Sequence, residues 1–393
     1  KIFNELGQRK KALDLYDQLH FRLAEDLGME PQHETIQLYQ EIHLGVEGLI
    51  SSVAQESIQT LKKEIADPGP IPVSFSQALL EDFDRRPFFG HKVELTQLQG
   101  WKRDAFSGHG KAAFIIGEPG SGKSYLLTEF ANQVLKDHPN SLLLWGQCNA
   151  YTGQGDPYFP FMTIIKTLVG NFEPLTPGLI INLEHLNRLW LLLPDMLANL
   201  INLGPNLIKR FIIDGHQFSL AQEHPGVSSV CLDALETLIE EAANKQRQRV
   251  ALNDEFTQVL SALSEDHPIL LVLDDLQWID EGSANLLFHL GRQLGRKKIL
   301  LLGAFRPSEV SISSDKNGHP LSGILKELQA IYGESLINLA HSQGKTFINE
   351  LLSSEPNAFT PGFNQMLYDH TSGHPLFSIE LLRGMQLRNE ILR

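Results

Sequence analysis

Ala112-Ala-Phe-Ile-Ile-Gly117-Glu-Pro-Gly-Ser-Gly-Lys-Ser124 is the stretch that decides the fold. Its opening residues are apolar enough for a buried β-strand, Gly117 to Gly122 form a glycine-rich turn, and Lys123 leads into the helical sequence Tyr125-Leu-Leu-Thr-Glu-Phe-Ala-Asn-Gln-Val-Leu135. The spacing is G-x-x-x-x-G-K-[S/T] at every fixed position, in the strand–turn–helix setting the motif requires. Gly117, Gly120 and Gly122 let backbone N–H groups close on phosphate oxygens, where a Cβ would obstruct them. Glu118, Pro119 and Ser121 fill the variable positions of this cradle, and Tyr125 follows at the helix start. Lys123 is expected at the β- and γ-phosphates and the Ser124 hydroxyl on Mg²⁺, with the positive end of the helix dipole behind both. The competing reading is a chance glycine turn, which the flanking strand and helix count against. The implied cofactors are ATP or ADP with Mg²⁺.

A second motif, Ile269-Leu-Leu-Val-Leu-Asp274-Asp275-Leu-Gln-Trp278-Ile-Asp280, has five consecutive apolar residues, as suits a parallel strand covered on both faces. Carboxylates at the C-terminal end of such a strand lie where open α/β sheets bind ligands. Asp274 suits a direct or water-mediated partner of Mg²⁺, and Asp275 a base or positioner for attacking water. Alone, two acids after an apolar run are more often a solvated strand end; the phosphate loop upstream changes that balance.

With 393 residues, 42% of them hydrophobic, the chain can bury two or three cores, so several domains are expected. Its 33 basic and 47 acidic residues give a formal charge of −14, which opposes binding of a phosphate backbone by the chain as a whole. Cys148 and Cys231 cannot form a disulfide framework, and no C-x-x-C or His/Cys cluster suggests zinc, so a reducing cytoplasmic setting is expected. Lys1-Ile-Phe opens the chain inside a helical pattern without Met or signal peptide, the expectation being a piece of a longer protein. Leu189 to Leu203 is strongly apolar but interrupted by Pro194, Asp195, Asn199 and Asn202; it is expected as buried helices, not a membrane span.

Taken in order, residues 1–66 have helical periodicity. The run Glu5-Leu-Gly-Gln-Arg-Lys-Lys-Ala-Leu-Asp-Leu-Tyr16, followed by Leu23-Ala-Glu-Asp-Leu-Gly-Met-Glu-Pro31 and Leu38-Tyr39, resembles the end of the bacterial transcriptional activator domain, a TPR-like helical module. In that family a winged-helix DNA-binding domain precedes it, so DNA is expected as a partner only through a domain upstream of Lys1. Asp67-Pro-Gly-Pro-Ile-Pro-Val opens a linker over 67–85.

Arg86-Pro-Phe-Phe-Gly-His-Lys-Val-Glu-Leu95 resembles the F-x-G-R-x-x-E-L segment of AAA-like and STAND-class ATPases, which lies beside the adenine and implies contacts from Phe89 and Gly90. His91 stands where arginine is usual, and ordinary core packing is the other reading of Phe88 and Phe89. Leu-Asp-Asp-Leu-Gln-Trp-Ile-Asp280 resembles the L-D-D-L-x-W-x-D signature of a STAND-type ATPase family of bacterial regulators; most P-loop ATPases of this branch carry glutamate where Asp275 stands. Ser141-Leu-Leu-Leu-Trp145 reads as a further strand, and Pro157-Tyr-Phe-Pro160 fits the aromatic-proline segment after it; Cys148 reads as a small apolar strand-end residue. Residues 161 to 265 read as mostly helical, with no legible function.

Another strand, Lys298-Ile-Leu-Leu-Leu-Gly303, leads to Arg306, which the resemblance implies is a γ-phosphate sensor; a surface arginine capping a loop is the alternative. Ser335-Leu-Ile-Asn-Leu339 reads as a fifth strand. Thr371-Ser-Gly373-His-Pro375-Leu-Phe377 resembles the G-x-P segment of STAND proteins and implies that Pro375 packs on the base. The expected architecture is α/β: a P-loop NTPase three-layer parallel sheet over 86–320, an N-terminal all-α TPR-like segment, and a last strand with a C-terminal helical lid over 321–393. The resemblance implies a signalling ATPase that binds Mg–ATP or ADP and hydrolyses ATP slowly, with Asp275, Lys123 and Arg306 catalytic. It also implies a protein or small-molecule inducer acting through C-terminal regions, and nucleotide-dependent self-association. A P-loop kinase and a scaffold that keeps nucleotide without turnover remain alternatives; no Arg-rich lid supports the kinase.

Overall fold

The computed structural model describes residues 90–150, 157–172, 183–212, 219–244, 252–311, 319–342, 344–353, 359–388 and 390–391. All belong to the second of two units into which the chain divides, Pro68–Arg393. The TPR-like segment, the proline-rich linker and Phe89 lie outside the described residues.

Helix α1 (Lys92–Phe106) leads into strand β1 (Lys111–Ile116), and α2 (Lys123–Asp137) follows the glycine turn. Strand β2 (Leu142–Gln147) is followed by α3 (Phe159–Leu168), α4 (Leu183–Leu203), α5 (Pro205–Phe211), α6 (Ser219–Glu223), α7 (Ser229–Asn244) and α8 (Leu252–Asp266). Then come β3 (Ile269–Asp274), α9 (Glu281–Arg292), β4 (Ile299–Phe305), α10 (Pro307–Ser311), α11 (Pro320–Tyr332) and β5 (Leu336–Asn338). Helices α12 (Lys345–Ser353), α13 (Pro361–Thr371) and α14 (Pro375–Leu387) close the chain.

The five strands form one parallel sheet in the order β2-β3-β4-β1-β5. Alternation along each strand divides its side chains between two cores. Ala113, Ile115, Leu143, Trp145, Leu270, Val272, Leu300 and Leu302 meet α1 and α2 on one face. Phe114, Leu144, Leu271, Leu273, Leu301 and Phe305 meet α3, α4, α8, α9 and α11 on the other. This is why β1 to β4 read as largely unbroken apolar runs: neither face sees water, whereas the edge strand β5 exposes Asn338. Helices α3 to α8, in the stretch read as mostly helical, thus supply much of the second helical layer. Pro194 does not divide it as the sequence suggested; α4 runs through the proline. Proline removes one helical N–H and crowds the preceding turn, and here the helix is held in place by its buried face, from Leu186 to Leu200. Burial pushes the Cys148 thiol far up, so it behaves as a small apolar residue. Among the described residues no single helix is long and apolar enough to cross a membrane. The last three helices have a small core of their own around Phe347, Ile348, Leu352 and Leu367.

The sheet order matters most for the site. β1, which carries the phosphate loop, and β3, which carries the acidic pair, are not neighbours; β4 lies between them and pairs with both. Its C-terminal end, and therefore Arg306, is delivered between the loop and the acids.

Candidate functional site at the strand C-termini

The loop between β1 and α2 is built from its own backbone. Gly120 and Gly122 have φ of 75° and 94°, in the left-handed region that favours glycine. A Cβ on Gly120 would stand 2.7 Å from His374 Cε1 and 2.8 Å from Leu376 Cβ, and one on Gly122 2.9 Å from His91 Nε2. Gly117 N–H donates to Phe305 O at 3.4 Å, tying the loop's first residue to β4. Helix α2 begins at Gly122 with no side-chain cap and no acidic residue in its first turn, leaving its positive end for an anion. Lys123 is 7% exposed and donates to Gly117 O at 2.6 Å and Glu118 O at 3.2 Å. Burial, reinforced by Arg306, pushes its ammonium below the usual lysine range. A buried cation hydrogen-bonded to two backbone carbonyls suits a site for phosphate.

Across β4, Asp274 ends β3 and is 3% exposed. Its Oδ2 accepts from Ser124 Oγ at 2.7 Å and its Oδ1 from Asp275 N–H at 2.8 Å. Burial raises its pKa above the ordinary aspartate value, and the Ser124 hydrogen bond partly offsets this. Ser124 itself is exposed. Hydroxyl and carboxylate together fit two positions of an Mg²⁺ shell. Among the described residues no group of three or more His, Cys, Asp or Glu could hold a metal ion, so phosphate oxygens and water would complete the coordination.

Asp275 leaves the strand in a left-handed conformation, φ 57° and ψ 38°, which costs energy for a residue with a Cβ. Its carboxylate is held from two sides: Gln277 Nε2 donates to Oδ1 at 2.8 Å and Gln147 Nε2 to Oδ2 at 3.1 Å. Arg306 Nη2 stands 4.0 Å from Oδ1. The Arg306 guanidinium lies 5.0 Å from the Trp278 ring centre, and its Nη1 donates to Glu309 at 2.7 Å. Ser308, on α10, donates to Glu118 at 2.7 Å, so the loop and the β4 end are also joined through side chains.

The far flank of the loop is formed by the turn before α1 and by the C-terminal helices. Gly90 N–H donates to Glu350 at 2.9 Å, and Lys92 pairs with the same carboxylate at 3.1 Å. His91, buried and left-handed, donates through Nε2 to Ser121 O at 3.1 Å, and burial lowers its pKa. Pro375 begins α14 and is buried; the residue before it, His374, contacts Pro119 O through Nε2 at 3.1 Å. Tyr125 is half-buried in the first turn of α2.

Lys123, Ser124, Asp274, Asp275 and Arg306 therefore converge, while Gly90 and Pro375 border the loop through neighbouring histidines. Gln147, Gln277 and His374 were missed in the sequence. Gln277 had one visible signal, its place inside Leu-Gln-Trp after the acids; Gln147 had none, because only strand register sets it opposite Asp274. Asp280, part of the same run, is a helix cap: its carboxylate accepts from Ser283 N–H at 2.9 Å and from Tyr158 N–H at 3.2 Å, anchoring the aromatic-proline segment.

The family described as AAA ATPase domain matches residues 87–302, more than half of the chain, and the chain belongs to that family. It thus carries a nucleotide-binding ATPase module. Residues 3–43 match the bacterial transcriptional activator domain, and the pair has the architecture of bacterial transcriptional regulators. None of the curated proteins matches the chain. Among solved structures, it is similar to Cdc6p from Pyrobaculum aerophilum at 14% identity and a TM-score of 0.38, over 80% of this chain and 66% of that one. It is also similar to the Orc1 protein of Aeropyrum pernix, solved in complex with DNA, at 14% identity and a TM-score of 0.39, over 80% of this chain and 64% of that one. The chain thus spans about two thirds of each.

Proposed function

We propose that this chain is the nucleotide-operated switch of a cytoplasmic transcriptional regulator, binding Mg–ATP or Mg–ADP and hydrolysing ATP slowly to change conformation. The observation that carries the proposal is the convergence of Lys123, the Ser124–Asp274 pair, Asp275 and Arg306 at the C-terminal ends of β1, β3 and β4. The loop from Gly117 to Gly122 cradles the phosphates, and Lys123 turns from Gly117 O and Glu118 O to the β- and γ-oxygens. Ser124 and Asp274 would hold Mg²⁺, which when bound would neutralise charge on the phosphates. Asp275 orients and deprotonates the attacking water, and Arg306 reports the γ-phosphate. Gly90 and Pro375 border the base. DNA enters through a separate upstream domain, the inducer through C-terminal regions, and self-association follows the nucleotide state.

The test is nucleotide titration with ADP and a non-hydrolysable ATP analogue, together with phosphate release in the absence of an acceptor. Slow release supports the switch. Transfer to a small molecule would make the chain a kinase, and tight binding without release would make it a scaffold.

A further inference from the structure

The short turn Leu276–Trp278, immediately after Asp275, has an arrangement that nucleotide binding alone does not require. Leu276 is fully buried beside Gly303 and fixes the turn to the core. Gln277 is a polar side chain only 5% exposed, and its amide is used on both sides. Oε1 accepts the N–H of Arg306 at 3.1 Å, and Nε2 donates to Asp275 Oδ1 at 2.8 Å. A backbone N–H can only donate, so the amide has one admissible orientation, and its amino group is left for the carboxylate. The main chain is pinned as well: His319 Nε2 donates to Gln277 O at 2.9 Å while His319 Nδ1 accepts from Leu321 N–H.

The sheet shows why such a bridge is needed. The β3–β4 ladder ends at the pair Leu273 and Gly303, before either functional side chain is reached. Beyond it Asp275 turns left-handed, and Arg306 leaves the strand towards α10. The Gln277 amide takes over where the ladder stops. We propose that Gln277 is a positioning residue that couples the acid after β3 to the arginine after β4, so that Asp275 and Arg306 meet the γ-phosphate end of the nucleotide as one unit. This rests on the nucleotide-binding reading above. The two halves of the amide have separable duties: Oε1 sets Arg306, and Nε2 sets Asp275.

Two variants separate those duties. Gln277→Glu keeps the acceptor for Arg306 N–H and sets a carboxylate against Asp275, whereas Gln277→Leu keeps the bulk and loses both bonds. ADP affinity should stay within about threefold in both, since neither touches the loop, while phosphate release should fall by about 10- to 10²-fold, as misplacement of a reacting group does. The ratio of ATP-analogue to ADP affinity should be kept by Gln277→Glu and narrowed by Gln277→Leu, and adding Arg306→Ala to Gln277→Leu should narrow it no further. Effects of Gln277→Leu and Arg306→Ala that simply multiply, or a parental ratio and rate in folded Gln277→Leu, would overturn the coupling. If Gln277→Leu does not fold, the Glu variant decides: parental phosphate release in it overturns the proposal. A parental chain that binds both nucleotides but releases no phosphate defeats turnover alone, and the affinity cycle still decides Gln277. A parental chain that binds neither overturns both.

Discussion

The phosphate loop and the acidic turn stand on either side of β4 and are constructed from different materials. The loop is shaped by backbone: glycines at positive φ, uncapped N–H groups of α2 and a lysine folded onto carbonyls. The turn after β3 is shaped by side chains: Gln147, Gln277 and Arg306 face one left-handed aspartate, and Trp278 lies against the Arg306 guanidinium. A backbone device is encoded by a few glycines in a fixed local spacing, because only they permit its dihedrals. A side-chain device can recruit partners from any strand that the sheet brings near. The loop should therefore govern affinity, and the turn should govern turnover and discrimination between nucleotides.

The largest effect expected on this division comes from Asp275→Asn, which should reduce phosphate release by about 10²- to 10⁴-fold with nucleotide affinity nearly unchanged. Equal losses of Mg–nucleotide binding in Asp275→Asn and Asp274→Asn would erase the difference between the two acids. Lys123→Ala should weaken both nucleotides by about tenfold to a hundredfold, the range for losing one charged hydrogen bond. Isothermal titration of the folded variant measures it, and unchanged affinity would remove the loop's claim.

Asp274→Asn sharpens the contrast through stability. A carboxyl whose folded pKa is raised binds its proton more tightly folded than unfolded, so ionising it costs stability as pH rises from the ordinary aspartate value through the raised one. Asparagine can still accept from Asp275 N–H and can donate to Ser124 Oγ. Without Mg²⁺ the variant should gain about 0.5–2 kcal/mol at neutral pH, as site residues often sacrifice stability for function. Urea midpoints at about pH 4 and pH 7 should show the parental slope across this window flattened in the variant; an unchanged slope would show that burial of Asp274 has no energetic consequence. The smallest effects belong to the flanks. Arg306→Ala should narrow the ATP-to-ADP affinity ratio severalfold, while Pro375→Ala should weaken both nucleotides alike. A domain-distance probe that still responds to the γ-phosphate in Arg306→Ala would place sensing elsewhere.

Much of this was legible because the signals were local. Four apolar runs announced β1 to β4, since a strand buried on both faces admits no polar alternation; the short edge strand β5 ends in an exposed Asn338. The loop from Gly117 to Ser124 and the acids Asp274 and Asp275 could be located because each sits at the end of such a run. The uninterrupted helix through Pro194 was not legible, because local propensity was overridden by packing against the second core. Nor was Gln147, an ordinary amide until the β2–β3 register sets it opposite Asp274.

The sequence by itself determined the phosphate loop, the acidic strand end and the parallel α/β class, since each depends on residues a few positions apart whose dihedrals and burial are set locally. Only the tertiary structure decided that β4 lies between β1 and β3, that Arg306 therefore stands beside Asp275, and that Gln277 joins them. It also brought His374 to Pro119, 255 residues apart in the chain. Strand order and such long-range contacts follow from how the faces of distant elements bury one another, and no local spacing records that choice.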